Sequence, residues 1–226
     1  MAKKRYSGEE PAKPKDKGGL LDGLVRKLTG RAPGAVEREQ KKSLPERLGW
    51  LEKKHKGDEK SAAKAAGVSL TTWRRWKKGG QEPTAASVKK LDKATREALV
   101  PKGRRERIHK STKGDQGMSS GRRTGGAVVS AWVQISSDGR PRDLDLGGNL
   151  PQGRLDAVVQ AYLEGGEEAA EKEMMQIIRE YIGGGQSFEG SIEISNVVMN
   201  FEPMGEGTTY QPRQLGIEYP DSDDEI

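Results

Sequence analysis

The stretch SAAKAAGVSLTTWRRWKKGG, residues 61–80, sets hydroxyls, guanidiniums and ammoniums at helical spacing beside two tryptophans. Thr71, Arg75 and Lys78 fall at i, i+4 and i+7, a single stripe of a helix. Such side chains suit DNA: threonine meets a thymine methyl or a phosphate, and arginine grips guanine through two hydrogen bonds. Thr72 belongs to the same exposed side. Arg74 and Lys77 flank the stripe, where phosphates are their expected partners. Ser69 is placed to cap the helix and joins the DNA-facing group. Trp73 and Trp76 read as core residues rather than base-stacking platforms.

A second short helical pattern, EKSAAKAA, precedes this one, with Gly67 between them. Glycine tolerates the positive φ of a tight interhelical turn. Ala63 is small enough to let two helices approach, and Ala62, Ala66 and Val68 supply apolar contacts around the turn. This is the spacing of a helix-turn-helix, whose second helix enters the DNA major groove.

Other chemistry is weaker. Ser136 and Ser137 in ISSDGRPR end a strand before an Asp138-Gly139 turn, where serine and aspartate make local backbone hydrogen bonds. Asp143 and Asp145 share a strand face and could hold Mg²⁺, but without a third carboxylate a solvent-facing strand edge is expected. The two histidines, His55 and His109, lie among lysines and arginines and resemble neither metal ligands nor triad bases. No glycine pair carries the spacing and Lys-Ser/Thr ending of a phosphate loop. With no cysteine, disulfides and thiolate metal sites are excluded, which fits a reducing cytoplasm.

Charge divides the chain. Residues 1–130 hold 34 Lys+Arg against 15 Asp+Glu, and residues 131–226 hold 6 against 19. A basic half joined to an acidic half suggests a nucleic-acid-binding part and a part with another task. No apolar run approaches the ~20 residues of a membrane span, and the basic start lacks the apolar region of a secretory signal.

The expected fold is a mainly α N-terminal helix-turn-helix domain plus a small α+β (β-β-α-α-β) C-terminal domain, with disordered termini. Residues 1–18 read as a disordered basic arm, and 19–42 as a short helix (LLDGLVRKL) and linker. Residues 43–101 form the helix-turn-helix domain, opened by a Ser43–Glu46 capping box and closed by a Thr84-capped helix that Pro101 stops. Residues 102–126 read as a basic flexible linker. Residues 127–202 carry the α+β domain, with Leu155, Val158, Val159, Tyr162, Met174, Ile177, Ile178 and Tyr181 inward. Residues 203–226 read as an acidic tail ending in DSDDEI.

Four stretches resemble the terminal proteins attached to telomere 5′ ends of linear actinobacterial chromosomes and plasmids. LLDGLVRKLTG is similar to a short N-terminal helix of that family, and AAKAAGVSLTTWRRWKKG to its helix-turn-helix. RRERIHK sits where the family has an Arg-rich connector, which adds Arg104, Arg105 and Arg107 to the DNA-binding residues. RPRDLDLGGNLPQGRLDAVVQAYLEGG resembles the family's strand, turn and helix. The resemblance implies a protein primer that caps linear-replicon telomeres. A polymerase transfers the first deoxynucleotide to a side-chain hydroxyl, and the protein stays covalently on the 5′ end. A Thr-Thr-Asp stretch carries the acceptor in that family; the matching residues are Ser136, Ser137 and Asp138. Ser137 is the expected acceptor, Ser136 its competitor, and Asp138 a supporting residue. A serine hydroxyl is a weak nucleophile. Its activation would come from Mg²⁺ supplied through the polymerase, with no tightly bound cofactor on this chain. The chain would then act as a nucleotide acceptor, not as an enzyme itself. Implied partners are DNA ends or 3′ overhangs, a DNA polymerase and a telomere-associated replication protein, with no membrane, and the expected location is the cytoplasm. The alternative is a helix-turn-helix transcription regulator whose C-terminal domain forms a homodimer. A plasmid partition or DNA-packaging accessory protein is a third reading.

Overall fold

The computed structural model describes residues 19–112, 126–135, 138–184, 188 and 190–201. The expected basic arm, Ser136 and Ser137, residues 113–125 of the expected linker and the acidic tail lie outside these residues. The fold is mainly helical with a small three-stranded antiparallel sheet. Among the described residues, no helix is long and apolar enough to cross a membrane.

The elements run α1 (Leu20–Thr29), α2 (Ala35–Gln40), α3 (Leu44–Lys54), α4 (Glu59–Ala65), α5 (Leu70–Lys77), α6 (Ala85–Leu99) and α7 (Lys102–His109). Then follow β1 (Ala127–Ile135), β2 (Asp138–Asp145), α8 (Leu146–Asn149), α9 (Asp156–Gly165), α10 (Glu167–Ile182) and β3 (Ile192–Phe201). The C-terminal part keeps the expected strand-strand-helix-helix-strand order, with the one-turn α8 added.

Helices α3 to α6 close around a small core of Leu48, Leu51, Ala62, Ala63, Ala66, Trp73, Trp76, Leu91 and Ala94. Each start is set by side chains that satisfy orphan backbone donors. The Glu46 carboxylate accepts from the Ser43 N–H at 3.0 Å. Asp58 accepts from the N–H groups of Lys60 and Ser61 at 3.0 and 3.2 Å. The Ser69 Oγ accepts from the Thr72 N–H at 3.1 Å, and Thr84 from the Ser87 N–H at 3.3 Å.

A larger core joins the sheet to helices from both halves. It contains Leu24 and Leu28 of α1, Val36 of α2, Ile108 of α7, and Tyr162, Met174, Ile177 and Ile178 of α9 and α10. Strand order is β2-β1-β3. Val129, Ala131 and Val133 of β1 belong to this core, while Val128, Ser130 and Trp132 alternate to the other face. The β1–β3 register shifts between Ser130 and Trp132. Asn196 sits there at φ 53, in the left-handed region that an inserted bulge residue often occupies. Tyr181 is half-buried at the edge of the core, rather than fully inward.

Two segments differ from the sequence reading. The expected linker 30–42 contains α2, whose Ala35 and Val36 are buried. The expected linker 102–126 begins with α7, of which Ile108 is the buried residue. A helix with one buried side chain leaves no periodic apolar signal. Pro101 ends α6 and also opens α7, since its fixed φ suits a helix start. Beyond α7, Ser111 and Thr112 are buried. The Ser111 carbonyl accepts from the Ala127 N–H at 3.0 Å, fastening the chain to the start of β1.

Candidate nucleic-acid interface

α4 ends in a motif that fixes the direction of α5. Gly67 has φ +64, as the turn requires. Its N–H donates to the Lys64 carbonyl and the Val68 N–H to the Ala63 carbonyl, both at 3.0 Å. These are the two bonds of a Schellman ending. α5 stops in the same way: Gly79, at φ +70, donates to Trp76 and Gly80 to Arg75. Eight residues are thereby held between two defined turns.

The buried side of α5 is its tryptophans, 0% and 2% exposed. The Trp73 Nε1–H donates to the Glu52 carboxylate at 2.8 Å. The Trp76 Nε1–H has no hydrogen-bond partner among the described residues. Base stacking by either ring is therefore closed off in this conformation.

The cations of α5 fall into two groups. Arg74 pairs with Glu59 at 3.0 Å. Lys77 pairs with both Glu52 and Glu59 at 2.9 Å. Hydrogen bonds from Lys77 and then Arg74 hold the Glu59 carboxyl below its usual range. Bonds to Glu52 and then Glu59 raise the Lys77 ammonium. Arg74 and Lys77, expected to meet phosphates, thus fasten α5 to α3 and α4. Thr71, Arg75 and Lys78 are exposed, and no ion pair joins Arg75 or Lys78 among the described residues. Thr72 is half-buried, its Oγ1 2.9 Å from the Ser69 Oγ. Lys90 lies outside the stripe legible from residue spacing. Its Cδ on α6 lies 3.5 Å from where a Cβ on Gly67 would stand, bringing another cation to the turn before α5. Glu52 and Glu59 were legible only as carboxylates in a basic stretch, not as partners of α5.

The three connector arginines lie on α7. The Arg104 Nη1–H donates to the Leu28 carbonyl at 2.9 Å, closing the C-terminus of α1. Arg105 is half-buried and Arg107 exposed. At the end of α7, His109 Nδ1 lies 2.6 Å from the Asp156 carboxylate at the start of α9, a pairing across 47 residues that sequence spacing does not show.

The acceptor candidates are reached only from their neighbours. β1 and β2 pair as far as Ile135 and Asp138, and Ser136 and Ser137 are the two residues between them. Asp143 and Asp145, expected on a solvent-facing strand edge rather than around a metal, are both half-buried, and Asp143 accepts from the Ser130 Oγ at 2.5 Å. Asp145 accepts from the Gly148 N–H at 3.2 Å, capping α8. No group of three or more metal-ligating side chains occurs among the described residues. The chain matches no protein-family model, no curated protein and no solved structure at significant similarity.

Proposed function

We propose that this chain is a DNA-binding protein primer. In this reading α4, the Gly67 turn and α5 act as a helix-turn-helix, and Ser137 or Ser136 accepts the first deoxynucleotide for a partner polymerase. The observation that carries the DNA-binding part is the division of labour on α5. Buried tryptophans and two carboxylates fix the helix from within, while Thr71, Arg75 and Lys78 stand exposed on the other side. A helix presented in this way suits base edges, with Lys90 beside its entry turn for the backbone.

The priming part rests on the resemblance of the sequence to terminal proteins. It is supported by a site that asks little of the chain itself. The polymerase and its Mg²⁺ activate the hydroxyl and stabilise the leaving pyrophosphate. The chain supplies a serine hydroxyl in the sequence between β1 and β2 and a module that docks the DNA. The serine oxygen attacks the α-phosphorus, the bond to the β-phosphate breaks, and the serine proton leaves to the polymerase site.

Salt dependence tests the docking part. If about 5–8 phosphates are engaged, log affinity for duplex DNA falls with log salt at a slope of about −4 to −7. A slope near zero contradicts it.

A further inference from the structure

We infer that an acidic segment of this chain, residues 218–225, seats on the cationic side of α5 when DNA is absent. The inference rests on the reading of α5 as the DNA-binding helix and adds a regulator of that site. Lys64, in the last turn of α4, and Lys90, whose stem lies against Gly67, stand at the turn that enters α5. Arg75 and Lys78 follow along the helix and at its end. All four are exposed, and none has an ion-pair partner among the described residues. Their neighbours Arg74 and Lys77 differ, because Glu59 pairs with both and Glu52 with Lys77. The turn and the stripe therefore keep positive charge that no described side chain offsets.

Charge and length single out the occupant. Residues 218–225 carry Glu218, Asp221, Asp223, Asp224 and Glu225, and no lysine or arginine. A row of carboxylates offers these cations what a DNA backbone offers them, so segment and duplex compete for the same side chains. Extended, Asp221 to Glu225 span about 13 Å, and α5 rises about 10 Å from Thr71 to Lys78. The acidic run is long enough to cover the stripe. β3 ends at Phe201, and the chain from there to Asp221 reaches up to about 66 Å. A compact protein of this length has a radius of gyration of about 17 Å, so the tether can bring the run to α5. A tethered partner acts at an effective concentration on the order of millimolar, which lets weak contacts suffice. A segment seated about nine-tenths of the time lowers the apparent affinity for DNA about tenfold.

The chain has no cysteine, so a full-length Ser222→Cys protein takes a single nitroxide label within the acidic run. In the isotope-labelled protein at low salt, the amide signals of Lys64, Arg75, Lys78 and Lys90 should show paramagnetic broadening. The broadening should vanish near 1 M salt, where charges are screened beyond about 3 Å. It should also weaken in an Arg75→Gln/Lys78→Gln variant, whose thermal melt checks folding. Mixing spin-labelled chain with isotope-labelled unmodified chain should give none, which keeps the contact within one molecule. A short duplex should remove it. Full-length protein with Asp221→Asn, Asp223→Asn, Asp224→Asn and Glu225→Gln should bind that duplex about tenfold tighter at low salt, the gap narrowing as salt rises. Broadening without any duplex binding would uphold the contact and sink the DNA-binding reading of α5. The inference is overturned by absent broadening, by broadening spread evenly over the exposed lysines, or by broadening only in the mixture, which makes a second copy the occupant. Broadening that persists on bound duplex, or equal duplex affinity in the neutralised variant, overturns it as well.

Discussion

Trp73 and Arg75 stand two residues apart on α5, and the structure gives them opposite surroundings. Trp73 is buried among α3, α4 and α6 side chains and donates to Glu52. Truncating a buried aromatic costs about 3–5 kcal/mol. Trp73→Ala should therefore unfold the α3–α6 unit, read as loss of its melting transition. Arg75 is exposed and joined to no carboxylate among the described residues. Arg75→Ala should leave the melt within about 0.5 kcal/mol of wild type. It should weaken specific DNA binding by about 1–3 kcal/mol if it reads a base edge. A Trp73→Ala protein that melts normally yet no longer binds DNA would show that the faces are reversed.

At the scale of elements, α1 and β3 make a contact whose sign can be tested. Alanine is usually the better helix former by about 1 kcal/mol, so Gly23→Ala in mid-α1 would be expected to stabilise. A Cβ at Gly23 would instead stand 2.9 Å from Val197 Cγ1 and 3.2 Å from the Val197 carbonyl oxygen, beside the Asn196 bulge. Neither atom is the end of a flexible chain, and overpacking costs about 1–3 kcal/mol. Gly23→Ala should therefore destabilise, seen as a lower denaturant midpoint; a rise in the midpoint would contradict this packing.

The tie of α5 to α4 gives a pH dependence. Glu59 is held below its usual range chiefly by Lys77, so it binds fewer protons folded than unfolded. Its contribution is present above the ordinary glutamate range of about 4.3 and is lost as pH falls through the depressed value. Melting temperature should drop on acidification below about pH 4, and Glu59→Gln should make that drop shallower. An unchanged acid slope in the variant would exclude the tie as a source of stability. The elements themselves were legible wherever apolar periodicity, a capping residue and a turn glycine agreed. α3 to α6 start at capping side chains, whereas α9 and α10 have no side-chain cap and, like β1 and β3, were legible from their apolar positions. α2 and α7 have neither signal: their sequences are almost wholly polar, and tertiary contacts through Val36 and Ile108 hold them.

Over the whole molecule, the basic and acidic halves are in contact rather than merely joined. Arg96 of α6 is 8% exposed and donates to the Leu163 and Glu164 carbonyls at the end of α9, both at 2.8 Å. The Gly34 N–H donates to the Glu167 carboxylate at 3.0 Å. No local sequence signal encodes such contacts, which is why the candidate sites were only partly legible. The stripe on α5 follows from its own spacing, whereas the carboxylates that fix it, Glu52 and Glu59, depend on tertiary placement. The proposed priming reaction makes a serine hydroxyl between β1 and β2 the covalent start of a DNA strand. The direct measurement is transfer of a labelled deoxynucleotide to the full-length protein, with the cognate replication proteins and Mg²⁺ present. Wild type, Ser137→Ala, Ser136→Ala and the double variant would be compared, with duplex binding measured alongside. The expected result is labelled wild type, loss of label in Ser137→Ala or, failing that, Ser136→Ala, complete loss in the double variant, and DNA binding unchanged throughout. A double variant that still takes the label, or a wild type that binds DNA and never takes it, would contradict it.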